Sequence, residues 1–274
     1  MESTHSKSVL SGKLIVVADD LGLDESINEG IFFAFKEGLI DWASLMVNGQ
    51  AFDHAVAGIK TTPGLKVGIH LVLVEEKSIL LRSEIPSLLN HKGLFYRSHR
   101  IFFILYILGL VKHDELKKEI EAQIKKVLEM GIKPQFINSH QHLHLLPGIM
   151  DIIISMAQKY NIPYIRIVNE PLEASGSLFR KVQLCFLKFL SFWAKNKIIK
   201  NGLQCNDLFV GFLHAGNLSK SDIDFARRLN HKYPEKIIEL GCHPGFENPY
   251  LTTRYKKWGY HWQYEIEVLK SLFR

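Results

Sequence analysis

Two adjacent aspartates, Asp19 and Asp20, close the apolar run Leu14–Ala18 (LIVVA), and histidines recur behind later apolar runs: His70, the alternating set His140, His142 and His144, and His243 before Pro244-Gly245. Two imidazoles and a carboxylate from three strand ends suit a divalent cation with positions left open for water and substrate. Such a set supports hydrolysis, with one aspartate on the metal, its neighbour accepting the proton of water, and His243 protonating a departing amine. Each piece alone also has an ordinary explanation. Asp-Asp before Gly is common turn and cap chemistry, His243 lies in a Pro-Gly turn, and surface histidines are often merely solvated. The 140–144 set alternates, so on an extended segment its three rings share one face, one as a ligand and two left to hydrogen-bond or touch substrate. The coincidence with strand ends is the stronger signal, because parallel α/β folds build their sites at the carboxyl ends of strands.

The elements that must position these residues alternate. Leu14–Ala18 reads as a strand buried on both faces. Asp24 then caps a helix over 26–37, where Ile27, Ile31, Ala34 and Phe35 recur at helical spacing before Gly38. Strands follow at 43–47 and 65–69, with a helix through Ala57 between them. The segment 114–130 has Leu116, Ile120, Ile124 and Val127 on one side and charges elsewhere, an amphipathic surface helix. A strand at 135–138, a helix at 148–160, strands at 164–168 and 237–242 and a helix at 264–273 complete the pattern, which predicts a parallel sheet with crossover helices. Two stretches, 75–111 and 169–217, break the alternation and exceed ordinary loops of about 2 to 6 residues, so they are expected as insertions over one end of the sheet. Residues 1–12 are polar and expected to be flexible.

The chain has 274 residues, 47% of them apolar, with 34 Lys and Arg against 28 Asp and Glu. No acid lies between Glu173 and Asp207, where Arg180, Lys181, Lys188, Lys195, Lys197 and Lys200 fall, and these six equal the net charge of +6. The remaining surface is balanced, which argues against nucleic acid as a partner. Cys185, Cys205 and Cys242 form no CxxC pair, so neither a disulfide framework nor a cysteine zinc site is expected, and a cytoplasmic location follows. The run Ile101–Val111 is 11 residues long, short of the roughly 20 that cross a bilayer. It is apolar all round and needs a cover, whether the other insertion, a second subunit in a homodimer, or a bilayer. Within 178–200, Lys181, Lys188 and Lys195 repeat every seven residues beside five large aromatics, which suits a helix in an anionic membrane interface, a cleft for a lipid tail, or a helix packed on the barrel with its lysines solvated.

The motifs Ala18-Asp19-Asp20-Leu21-Gly22-Leu23, Ser44 to Gly49 (SLMVNG), Val67 to Leu73 (VGIHLVL), Asn138 to His144 (NSHQHLH) and Cys242-His243-Pro244-Gly245, in this order, resemble the YdjC/ChbG-type carbohydrate deacetylases over roughly residues 13–270. Val72-Leu73-Val74-Glu75, Asn138 in place of a more usual Asp, and Asn206 to Gly211 (NDLFVG) resemble the hopanoid-biosynthesis-associated HpnK branch. The resemblance implies one α/β domain over 13–274, a (β/α) barrel-like fold of parallel strands, and removal of an N-acetyl group from an amino sugar with one divalent metal, Mg²⁺ or Zn²⁺. It implies Asp20, His70 and His140 as ligands, Asp19 as general base and His243 as general acid. Substrate contacts are expected from His142, His144, Asn48 and Arg166. The substrate is then an N-acetylated sugar or a glycosylated hopanoid lipid met at the inner face of the membrane. Asn138 removes a carboxylate beside the metal and alters the tuning of its neighbours. Other readings are a deacetylase of soluble chitooligosaccharides, a silent sugar- or lipid-binding module on the same scaffold, or a metal-dependent phosphoesterase, which calls for more carboxylates around a second metal.

Overall fold

The structure, a computed structural model, describes residues 13–273, so the stretch 1–12 expected to be flexible lies outside it. Seven parallel strands form one curled sheet in the order β5-β4-β3-β2-β1-β7-β6. They are β1 (Leu14–Leu21), β2 (Trp42–Leu45), β3 (Lys66–Leu71), β4 (Phe136–Ser139), β5 (Tyr164–Ile165), β6 (Leu208–Val210) and β7 (Ile238–Cys242). The helices are α1 (Glu25–Lys36), α2 (Phe52–Lys60), α3 (His99–Ile107), α4 (His113–Glu129), α5 (Pro147–Lys159), α6 (Leu178–Lys200), α7 (Lys220–Lys232), α8 (Pro249–Arg254) and α9 (Trp262–Leu269). β1 is central, paired with β2 on one side and β7 on the other. Alternation along the strands divides the core: Val16, Ala18, Val67, Ile69 and Ile137 pack under the helices, while Ile15, Val17, Trp42, Phe136, Tyr164 and Ile237 form a separate cluster inside the curl. There the Trp42 ring stacks on Phe136 at 5.1 Å and meets Tyr164 edge-on at 5.4 Å. Gly68 makes room for this plug, since a Cβ on it would lie 2.5 Å from the Phe136 ring.

The curl is closed between its outer strands by a few backbone bonds and by side chains. Gln204 exchanges two backbone hydrogen bonds with the chain at 163–165, of 2.8 and 2.9 Å. The Asn206 carboxamide accepts from the Ile167 amide at 2.8 Å and donates to the Ile167 carbonyl at 2.7 Å. This role accounts structurally for Asn206, whose sequence context otherwise carried only a family resemblance.

Three parts differ from the sequence reading. The stretch 169–217 is not wholly an insertion, because it contains α6 and the three-residue β6 and so continues the β/α alternation. On α4, Glu115, Glu119 and Gln123 are buried rather than solvated. Spaced by four, they accept from the Ser87 amide, from the Ile79 and Leu80 amides, and from the Val72 amide, tying the 72–87 segment to the barrel. On α6 the basic stripe turns towards the barrel rim: Lys188 donates to the Glu170 carbonyl at 2.8 Å, and Lys195 pairs with Asp207 at 2.5 Å. The apolar face, with Phe179, Val182, Phe189 and Phe192, points outward.

Candidate metal centre

In a regular strand, neighbouring residues face opposite sides. Asp19 and Asp20 escape this rule because the β1–β2 register breaks between Ala18 and Leu21 and Asp20 takes a left-handed φ of 67°. Such a backbone costs about 1–3 kcal/mol outside glycine and clusters at functional sites. Here it brings both carboxylates to the same mouth: Asp19 Oδ1 is 3.9 Å from His70 Nδ1, and Asp20 Oδ1 is 3.4 Å from His70 Nε2. His140, on the turn after β4, places Nδ1 3.6 Å from the same Asp20 oxygen.

Asp20, His70 and His140 are all buried, and each offers a ligand atom within 4.8 Å of the others. Both Asp20 oxygens and His70 Nε2 are buried without a hydrogen-bond partner. Leaving such atoms unsatisfied is costly, and three of them gathered together fit a divalent cation. Neighbouring groups fix the orientation of the ligands. His70 Nδ1 donates to Asn138 Oδ1 at 2.8 Å, which leaves the Nε2 lone pair facing Asp20. His140 Nε2 donates to Glu75 at 2.8 Å. Burial opposes charge on both rings and lowers the His70 pKa. For His140 that burial is outweighed by Asp20 and Glu75, which raise it to about 10.

Asp19 is enclosed differently. Its Oδ1 accepts from Ser44 at 2.6 Å and from Asn138 Nδ2 at 2.9 Å, and Arg166 forks onto both oxygens at 2.5 and 3.0 Å. Burial would raise its pKa, but the Arg166 charge more than reverses this and holds Asp19 well below the usual carboxylate range. The other edge of Arg166 donates to Glu239, which also accepts from Tyr164 at 3.0 Å. Burial, the largest influence on Glu239, leaves that carboxyl raised despite Arg166.

His243 follows β7. Its backbone amide donates to Glu265 at 2.6 Å, its ring leans on Tyr260 at 4.7 Å, and its Nδ1 is buried without a partner. Asp19, His70, His140 and His243 line a cleft of ≈ 1300 Å³. Trp258 lies 4.9 Å from the His140 ring and 5.4 Å from Tyr260, making an aromatic wall. Opposite, Phe103 of α3 meets Phe186 of α6 edge-on at 5.6 Å.

Of the four expected substrate contacts, His142 lines the cleft, against Phe209 and Phe212. The other three are placed elsewhere. His144 is fully buried, with its two nitrogens on the Ser139 hydroxyl and the Arg166 carbonyl at 2.7 and 2.9 Å. Arg166 is fully buried beneath Asp19, with its guanidinium committed to two carboxylates. Asn48 donates to the Lys77 carbonyl at 2.6 Å. The shared face expected of an extended 140–144 segment is absent, because Gln141 and His142 adopt left-handed φ of 57° and 54° in a 3₁₀ turn. Sequence reasoning did not assign roles to Glu75, Ser44, Glu239, Trp258 or Tyr260.

These features define a class: a parallel (β/α) barrel-like protein with a buried Asp-His-His donor set at its carboxyl-end mouth, flanked by an aspartate and a histidine. The profile of the YdjC-like protein family matches residues 13–272, and the chain belongs to that family. A carbohydrate deacetylase of Xenopus laevis is 32% identical over 252 residues, covering 85% of this chain and 81% of its own. One from Thermoanaerobacter pseudethanolicus is 27% identical over 254 residues, 93% of this chain and 88% of its own. One from Brevibacillus brevis is 38% identical over 151 residues, 55% of this chain, which there spans 58% of the relative's length, less than two thirds. A solved structure from Enterococcus faecalis V583, provisionally described as a cellobiose-phosphate cleavage protein, superposes with a TM-score of 0.70 at 25% identity, covering 93% of this chain and 89% of its own.

Proposed function

We propose that the protein is a metal-dependent hydrolase that removes the N-acetyl group from an N-acetylated amino sugar, carried on a glycosylated lipid of the hopanoid class. The observation that carries the chemistry is the gathering of buried, partnerless donor atoms on Asp20 and His70 beside His140, with Asp19 and His243 on the same cleft. Carbohydrate deacetylase relatives support the substrate group. A divalent cation, Mg²⁺ or Zn²⁺, held by Asp20, His70 and His140 would supply Lewis-acid polarisation to the acetamide carbonyl and to water.

The protein's own groups account for the rest. Asp19, kept ionised by Arg166, accepts a proton from the attacking water. An aspartate so stabilised is a weak base, so it passes that proton on through solvent, which restores the one His243 gives to the nitrogen. Ser44 and Asn138 fix its Oδ1. His243 protonates the nitrogen as the C–N bond breaks, and acetate leaves with the water oxygen while the sugar keeps a free amine. Trp258 and Tyr260 offer flat apolar faces to a sugar ring. The apolar arm of the cleft, with Phe103, Ile104, Val182 and Leu187, favours a substrate with an apolar aglycone over a soluble chitooligosaccharide. A cytoplasmic protein working at the inner face of a membrane fits this reading.

The test is acetate release from soluble and lipid-linked N-acetylglucosaminyl substrates, with and without chelator. Asp20→Asn, His70→Ala and His140→Ala should each abolish the metal-dependent part. Activity retained by any one removes that residue from the ligand set, and equal turnover of soluble and lipid-linked substrates refutes the lipid preference.

A further inference from the structure

We infer that the outward faces of α3 and α6 form a single docking surface for an anionic lipid bilayer, placing the mouth of the cleft against the headgroups. The inference takes its purpose from the glycolipid reading above, but binding itself requires no chemistry. On α6 the residues at helical spacing that a soluble helix normally buries are exposed: Val182 at 63%, Phe189 at 70% and Phe192 at 74%. The face turned to the barrel is small, with Leu184, Leu190, Ser191, Ala194 and Ile198. Lys188 and Lys195, which would otherwise relieve the exposed row, are drawn to the rim by the Glu170 carbonyl and Asp207.

The helix α3 extends the same surface. Phe103 packs on Phe186, Arg100 lies 5.4 Å over the Phe179 ring, and Ile107 and Leu108 are each 65% exposed. An apolar area of this kind beside a site marks an interaction surface. It borders the cleft directly, because Ile104, Val182 and Phe186 belong to both.

Charge selects the partner. Residues 85–113 and 174–206 hold no acid, and although Lys112, Lys195 and Lys197 pair with Glu115, Asp207 and Asp151 from outside them, Lys92, Arg97, Arg100, Lys181 and Lys200 are left without a carboxylate partner among the described residues. Cations beside a partly inserted apolar face are drawn to an anionic leaflet. The same charges disfavour a second copy of the chain, since a two-fold contact would set each basic segment against its equal. Among the described residues no helix is long and apolar enough to cross a membrane, so α6 would lie in the interface rather than span it.

The test is co-sedimentation of the full chain with vesicles of phosphatidylcholine alone and of phosphatidylcholine with phosphatidylglycerol. The wild type should bind the anionic vesicles, and added salt should weaken binding. Phe189→Glu/Phe192→Glu, outside the cleft, should bind at least tenfold less with an unchanged melting temperature. If that pair fails to fold, Ile107→Ser/Leu108→Ser serves on the other helix and should also weaken binding. Absence of wild-type binding, equal binding by a folded variant, or a wild-type dimer that the variant converts to monomer overturns the inference. Asp20→Asn should still bind vesicles, and a wild type that binds them yet releases acetate from no substrate would defeat the proposed function while leaving this surface standing.

Discussion

Replacing Arg166 with Met tests whether this residue touches substrate or sustains the site from below. The guanidinium is fully buried and pairs with Asp19 on one edge and Glu239 on the other. Methionine approximates its stem and leaves two buried carboxylates without their cation. Removing one partner of a buried ion pair costs about 3–5 kcal/mol, and one cation here serves two anions, so the upper part of that range is expected. At about 2–4 °C per kcal/mol for a domain of this size, the melting temperature should fall by about 10–20 °C. The dependence on pH separates charge from cavity. In the wild type the depressed Asp19 pKa contributes stability above its ordinary value of 3.8 that is lost as pH falls through the folded value. In the variant, burial is opposed only by neutral donors, Ser44 and Asn138 on Asp19 and Tyr164 on Glu239, and by the nearby histidines, so both carboxyls rise, a penalty that is full at neutral pH and fades as the pH falls towards their unfolded values. The gap between variant and wild type in denaturant titrations should therefore be wider at pH 8 than at pH 5, and Glu239→Gln added to Arg166→Met should recover part of it. A raised KM with unchanged stability would refute this reasoning and return Arg166 to the substrate. A gap that does not change with pH would reduce its role to filling space.

Two further changes probe the layers above and below. Asn138→Asp sets a carboxylate about where Nδ2 now lies 2.9 Å from Asp19 Oδ1, a repulsion of about 6 kcal/mol at an effective dielectric constant of about 20. The pair should therefore keep a proton, moving the acid limb of the pH–rate profile upward by more than one unit, and an unmoved limb would deny Asn138 its place between Asp19 and His70. Gly68→Ala drives a methyl into the Phe136 ring, which Trp42 backs from behind, and should cost about 1–3 kcal/mol in denaturant midpoint, eased by Phe136→Leu.

The aspartates and the leading histidines were legible because strands in a parallel sheet deliver polar residues to one end, and Asp19, His70 and His243 each follow an apolar run. The residues that orient them were not. Glu75 lies beyond any periodic pattern, at a left-handed φ of 74° that no propensity announces. Arg166 and Glu239 are 73 positions apart, and each is a lone charge in an apolar stretch, so nothing local in the sequence shows that they pair. The Trp258–Tyr260 wall belongs to a loop without rhythm. On α6 the heptad of lysines suggested a wet face, yet the rim supplied acceptors close enough to reverse it, a long-range outcome that helical spacing alone does not contain. β6 vanished into the presumed insertion because three residues are too short to stand out.

The carboxamide of Asn206 has a mechanical consequence. β1, which carries both aspartates, is gripped by ladders on either side, whereas the closure between β5 and β6 rests on one bridge, one backbone bond from Phe209 to Asn169 and the carboxamides of Asn169 and Asn206. The helix α6 is the connection between those two loosely joined strands. The backbone pairing is therefore densest where Asp19, Asp20 and His70 must keep their spacing and sparsest beside α6, so hydrogen exchange should be faster across the β5–β6 closure than along β1.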